Sequence, residues 1–71
     1  MIKTYYKYEI YKANDGKYSV SRIAFGTRSL ACKCETFQQA FSYAYGYAFA
    51  NIDNMIINDN CMNEYKAYCE A

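Results

Sequence analysis

Along the first eleven residues the chain alternates with period two. Ile2, Thr4, Tyr6, Tyr8 and Ile10 fall on one side, and Lys3, Tyr5, Lys7, Glu9 and Tyr11 on the other. The enrichment in β-branched and aromatic side chains makes this a strand pattern. Asn14-Asp15-Gly16-Lys17 then breaks the alternation with residues suited to a tight turn, Gly16 being free to take positive φ. A second strand is predicted over Lys17 to Phe25. It starts with Tyr18 and Val20 on one face and ends with Ile23 and Phe25 on the other, a switch that a β-bulge near Ser21-Arg22 would produce. After a second turn at Gly26-Thr27-Arg28, Leu30, Cys32 and Cys34 alternate with Ala31 and Lys33, which predicts a short third strand.

The period changes at Thr36-Phe37-Gln38-Gln39, a capping-box pattern in which Thr36 accepts from the Gln39 amide. From there Phe37, Ala40, Phe41, Ala44, Ala48 and Ile52 recur at three- and four-residue spacing and predict one long helix. The stretch from Phe41 to Ala50 also alternates aromatic with small residues, and Gly46 weakens a helix by ~1 kcal/mol relative to Ala. The capping box, the alanines and the continuous stripe outweigh that strand period. The row Ala40, Ala44, Ala48 would let the helix lie close against a sheet. Met55-Ile56-Ile57 reads as an edge strand between the Asn/Asp clusters Asp53-Asn54 and Asn58-Asp59-Asn60. Asp59 or Asn60 is expected to cap a last helix running through Cys69, with Met62, Tyr65 and Cys69 facing inward. The predicted order is β-β-(β)-α-(β)-α, a single small α+β domain over residues 1–71. In it a small antiparallel sheet, a β-hairpin plus a third strand, is covered on one face by one long helix.

Composition narrows the function. Seventy-one residues hold one domain, and at 54% hydrophobic the chain is apolar enough to fold. It contains no His, which excludes Cys/His zinc fingers and every Cys–His or Ser–His nucleophile. No apolar run approaches the ~18 residues of a membrane span. The opening Met1-Ile2-Lys3-Thr4-Tyr5 does not read as a signal peptide, so the expected compartment is the cytoplasm. The net charge of +1 conceals a division. Residues 1–33 carry seven basic and two acidic residues, net +5; residues 34–71 carry one basic and five acidic, net −4. Either the two halves present opposite potentials to partners, or they pair with each other inside the fold.

The inventory for catalysis is thin. Cys32, Cys34, Cys61 and Cys69 lack the paired Cys-x₂-Cys spacing of zinc knuckles, and their expected role is that of small buried hydrophobes. The serines lie in no Gly-x-Ser-x-Gly elbow, the acids are scattered singly, and the three glycines form no phosphate loop. The expectation is a protein that is not an enzyme and takes no cofactor and no metal.

What remains is surface. Tyr offers large contact area with a polar tip at low entropic cost, so Tyr beside Lys or Arg is a recognition composition. The first candidate partner-binding face is the outer hairpin, Tyr5, Lys7 and Tyr11, extended by Lys17, Arg22 and Arg28. The competing candidates are the acidic residues Asp53, Asp59, Glu64 and Glu70, which could mimic phosphates, and the helix aromatics Tyr43 and Phe49. The opposing reading of the aromatics is that they pack on one another or on a second copy.

Two resemblances follow. The succession of a strand, the Asp15-Gly16-Lys17 turn, further strands and the Thr36-Phe37-Gln38-Gln39-Ala40 helix, over residues 3–50, resembles the arm-binding domain of phage integrases. That resemblance implies a sheet entering the DNA major groove, with Lys3, Lys7, Lys17 and Arg22 at the matching positions. This sheet departs from that family in mixing Tyr with Lys and in carrying Glu9. In length, in Tyr/Asn/Lys-rich usage, in free cysteines, in split charge and in lacking a catalytic motif, the whole chain resembles in type the small anti-CRISPR proteins of phages. That resemblance implies a non-catalytic protein-binding inhibitor or adaptor acting by steric occlusion on a host CRISPR–Cas or other nucleic-acid-handling complex. The alternatives are a DNA- or RNA-binding module using the basic Tyr/Lys hairpin and a self-assembling structural protein. The chain is expected to be a monomer or a homodimer.

Overall fold

The alternation of the N-terminal segment becomes the central hairpin of a four-stranded sheet. The computed structural model of the chain describes residues 6–70. β1 (Lys7–Lys12) pairs antiparallel with β2 (Tyr18–Ala24), with Ile10 opposite Val20 and Tyr8 opposite Arg22. Between them the Gly16 amide donates to the Ala13 carbonyl at 3.0 Å, and Gly16 takes φ +84°. The Asp15 carboxylate accepts from the Lys17 amide at 3.0 Å. β3 (Thr27–Cys34) follows through a two-residue turn in which Phe25 (φ +52°) and Gly26 (φ +76°) are both left-handed. Such a primed turn matches the strand twist, but it favours Asn, Asp or Gly at the first position. Here that position is Phe25.

α1 (Phe37–Tyr47) begins at the expected Thr36 cap, with the return bond of the box shifted to the residue before it. The Thr36 hydroxyl accepts from the Gln39 amide at 3.2 Å, and the Gln39 side chain reaches back to the amide of Glu35, also at 3.2 Å. β4 (Met55–Ile57) returns to the sheet after a 3₁₀ turn at Ile52–Asn54, and α2 (Met62–Glu70) closes the chain after a second such turn at Asp59–Cys61. The sheet order is β3-β2-β1-β4. Where β4 stops, the Asn60 side chain continues the pairing: its carbonyl accepts from the Lys12 amide at 3.0 Å and its amide donates to the Lys12 carbonyl at 2.9 Å. Among the described residues no helix is long and apolar enough to cross a membrane.

The α+β class and the element order are those expected, with six corrections. β4 is an edge strand as expected, but it runs parallel to β1, so the sheet is mixed and not purely antiparallel. The bulge lies in β3. Val20 faces Cys32 while Ser21 faces Leu30, so Ala31 is the extra residue. β2 keeps its alternation across Ser21-Arg22, and Leu30 leaves the face shared by Cys32 and Cys34. The long helix stops at Tyr47 instead of running to Ile52, and Ile52 is half exposed. It stops because Phe49 (φ +55°) and Ala50 (φ +62°) turn left-handed. The Ala50 amide then bonds the Tyr45 carbonyl at 2.9 Å and the Phe49 amide bonds that of Gly46 at 3.1 Å, the paired bonds of a Schellman ending. Finally α1 does not cover the sheet alone. Tyr65 and Tyr68 of α2 pack beside it, with Phe41 and Tyr68 ring centroids 4.6 Å apart and Phe37 and Tyr65 6.3 Å apart. Cys69 is exposed, and Tyr68 takes the inward place expected of it. The last helical segment is introduced by Asn58, whose side-chain oxygen accepts from the Asn60 amide at 3.0 Å, and not by Asp59 or Asn60.

The core lies between the sheet and the two helices. Ile10 and Val20 are fully buried under the Ala40 and Ala44 row, which lets α1 lie close to the strands. Each of those two side chains contributes about 1.5–3 kcal/mol of burial. Cys61 is fully buried, and its thiol donates to the Ile10 carbonyl at 3.3 Å. It is one of the small hydrophobes the composition anticipated.

Candidate functional site

The two faces of the sheet differ in what they leave free. On the face away from the helices, Lys7, Glu9 and Tyr11 of β1 stand beside Ile23, Ser21 and Ser19 of β2. Glu9 is 7% exposed at its centre. Its carboxylate pairs with the guanidinium of Arg28, reaching across from β3, and accepts from the Asn58 side-chain amide at 3.2 Å. The Ser21 hydroxyl donates to that of Tyr11 at 3.4 Å, and the Lys7 ammonium donates to the Asp53 carbonyl at 3.4 Å. In the hairpin turn Lys17 pairs with Glu35 at 3.1 Å and Lys33 with Asp15 at 2.7 Å. Hydrogen bonding to Lys33 holds the Asp15 carboxyl below its ordinary range, and the same contact raises the Lys33 ammonium above its own. Three of the seven cations of the basic half, Lys17, Arg28 and Lys33, are therefore paired within the fold, and two of these three pairs, Arg28 with Glu9 and Lys33 with Asp15, join residues of the basic half itself.

This arrangement divides the outer hairpin set. Lys7, Tyr11 and Arg28 share the outer face, but Arg28 is engaged with Glu9, and Lys17 sits at the turn with Glu35. Arg22 is on the opposite face, because it pairs with Tyr8 and β2 has no bulge to turn it outward. Tyr5 lies outside the described residues. The acidic candidates are not gathered either. Asp53 and Asp59 stand at opposite ends of β4, and Glu64 accepts from the Tyr18 hydroxyl at 3.1 Å. That contact, after burial, raises the Tyr18 phenol. Glu70 is exposed at the end of α2.

The helix side is where surface stays open. α1 ends above Tyr8, so the far part of the row formed by Tyr8, Arg22 and Ser29 is uncovered. Tyr47 stacks on Tyr8 with centroids 5.4 Å apart, and Tyr43 stacks on Tyr47 at 6.4 Å, so three rings run from the helix onto the sheet. Tyr43 is exposed, as expected for a residue pointing away from the core. Beyond Tyr8 the surface dips twice. The first hollow, of 270 Å³, is lined by Tyr8, Arg22, Ser29, Leu30, Ala31 and Tyr47. The second, of 250 Å³, is lined by Tyr6, Arg22, Ala24, Phe25, Thr27 and Ser29. Arg22 and Ser29, direct cross-strand neighbours, belong to both. The Arg22 guanidinium lies over the Tyr6 ring at 5.0 Å. Phe25, which lines the second hollow, is 89% exposed, and Phe49, two residues beyond Tyr47 in the chain, is 93% exposed.

Sequence reasoning named Phe49, Tyr43 and Arg22 but missed Phe25, Tyr47 and Leu30. A signal for Phe25 was present: Phe-Gly stands between two strands where the turn calls for Asn-Gly. Tyr47 and Leu30 carried none, since their placement depends on where α1 ends and on the bulge at Ala31.

The cysteines do not gather. Cys32 and Cys34 lie side by side with sulfurs 3.9 Å apart, while Cys61 is in the core and Cys69 on the surface. Among the described residues no three His, Cys, Asp or Glu side chains come together as ligands for a metal. Burial, with Cys34 beside it, pushes the Cys32 thiol up to about 11, and burial raises Cys61. Thiols so raised stay protonated at neutral pH and are poor nucleophiles. No protein-family model, curated protein or solved structure matches the chain.

Proposed function

We propose that the chain is a non-catalytic binding module whose helix-side aromatic surface seats on a larger protein and covers a site that protein needs. Phe25 and Phe49 carry this reading. Each is about nine-tenths exposed, so neither contributes its ring to the core. Each also holds a left-handed backbone that disfavours a bulky residue by about 1–2 kcal/mol. Two large rings kept at a cost to the fold and presented to solvent are anchor residues in search of a pocket. The stacked Tyr47 and Tyr43 extend the contact area, and Arg22 supplies a charge beside them. The likeness in type to phage anti-defence proteins extends the reading to an inhibitor of a host nucleic-acid-targeting complex that works by occlusion. Direct binding of nucleic acid is less favoured. Lys17, Arg28 and Lys33, three of the eight cations of the chain, are engaged with Glu35, Glu9 and Asp15 and are less free to neutralise phosphates.

The test compares two immobilised baits, the native chain and Phe25→Gly/Phe49→Gly, in nuclease-treated host extract. A partner retained at least ten-fold better by the native chain, and then forming a defined complex with it from purified components, supports the reading. Equal capture by both baits, or loss of all capture after nuclease, refutes it.

A further inference from the structure

The two hollows beside Arg22 have a shape that specifies a partner more closely. They lie in succession along β2, one toward Tyr47 and one toward Phe25, and the ridge between them is the cross-strand pair Arg22 and Ser29. The ridge is polar and basic, while Tyr8, Tyr47 and Ala31 line one side and Tyr6, Ala24 and Phe25 the other. We infer that this surface takes an extended acidic peptide segment of the partner, with a carboxylate on Arg22 and Ser29 and an apolar side chain in each hollow. The inference rests on the binding-module reading above and names the chemistry its site recognises.

Charge complementarity decides the central position. Of the three arginine and lysine side chains on β2 and β3, Arg28 is paired with Glu9 and Lys33 with Asp15, whereas Arg22 meets no carboxylate among the described residues. What it does meet is the face of Tyr6. A ring against one face holds the guanidinium plane and leaves its edge donors free, and that edge matches a carboxylate bidentately. The Ser29 hydroxyl adds a donor from the next strand. Spacing decides the rest. Side chains on one face of an extended segment recur every second residue, the same repeat that separates Arg22 from Ala24 on β2. A segment lying along β2 therefore offers apolar, acidic and apolar side chains at positions one, three and five. Hollows of 270 and 250 Å³ admit a side chain the size of Leu, Met or Phe.

The probe is a peptide array of the form apolar–Ser–X–Ser–apolar, with Leu, Met, Ile or Phe at the ends and Glu, Asp, Gln or Lys at X. It is read with the native chain, Arg22→Gln, Arg22→Lys and Phe25→Gly, each first shown by its melting curve to be folded. The native chain is expected to prefer Glu or Asp over Gln about ten-fold and to reject Lys. Arg22→Gln should lose that preference, Arg22→Lys should keep part of it, and Phe25→Gly should weaken every peptide without changing the order at X. Absence of an acidic preference in the native chain, or its survival in Arg22→Gln, overturns the inference, as does displacement of bound peptide by single-stranded DNA at equal concentration. If the array fails while partner capture still depends on Phe25 and Phe49, the acidic-peptide inference alone falls. If capture ignores those rings as well, the binding-module reading falls with it.

Discussion

Removing the two most exposed phenylalanines should make the protein more stable, not less. Phe25 and Phe49 sit at φ +52° and +55°, where an L-residue with a large side chain is disfavoured. Glycine takes that conformation freely, and after its greater freedom in the unfolded chain is counted the net gain at such a position is about 1 kcal/mol. Against this stands the burial that would be lost. Only about a tenth of each ring is covered. A tenth of the roughly 200 Å² a Phe side chain offers, at ~25 cal/mol per Å², is about 0.5 kcal/mol. Each change therefore gains about 0.5 kcal/mol. The two lie on different turns, so the double variant gains about 1 kcal/mol. In a domain of this length that raises Tm by about 4–8 °C. Thermal unfolding followed by circular dichroism, with urea midpoints as a second measure, reads the effect directly. A double variant melting several degrees below the native chain would show that the rings are held by the fold, and their role as anchors would lose its physical basis.

Three further outcomes are expected. Arg28→Ala leaves the carboxylate of buried Glu9 without its ion-pair partner and should cost about 2 kcal/mol, less than a fully buried pair because Arg28 is half exposed; the double variant Glu9→Gln/Arg28→Ala should recover much of that loss in urea denaturation. Iodoacetamide at pH 8 followed by mass spectrometry should label exposed Cys69 first and Cys32 slowly, its thiol lying near 11, with Cys34 and Cys61 reacting only on unfolding; rapid labelling of Cys61 would contradict the core placement. The Lys33–Asp15 bridge lowers the Asp15 pKa, so its contribution is complete above the ordinary carboxylate range and lost as pH falls through the lowered value. The raised Lys33 contributes below the ordinary lysine range and loses its share as pH climbs through its own raised value. Asp15→Asn should then lower Tm slightly at pH 7 and by progressively less toward pH 3, and a gap that widened on acidification would reverse the sign argued here.

What the amino-acid sequence determined is what depends on neighbours a few residues apart. Period-two alternation sets β1 and β2, and Asn14-Asp15-Gly16 sets the turn between them. Thr36 and Gln39 start α1 where their spacing requires, and Phe37, Ala40, Phe41 and Ala44 select its buried side. Charge composition left two readings open, and only the folded chain shows Arg28 on Glu9 and Lys33 on Asp15. The rest was decided between distant segments. α1 stops at Tyr47 with no glycine to mark the place, and the end is held by left-handed backbone at Phe49 and Ala50 that intrinsic preference argues against. β4 joins β1 in parallel because the chain crosses the sheet on the helix side, which a run of three apolar residues cannot announce. The extra residue at Ala31 appears only when β3 is laid against β2, and it separates Leu30 from Cys32 and Cys34. Arg22 was legible as a basic residue on a strand, but its face was misjudged because the bulge was assigned to its own strand instead of the next. The site follows from that difference: local pattern supplied the aromatic and basic residues, and the end of one helix with the register of one strand pair decided which of them meet in the open.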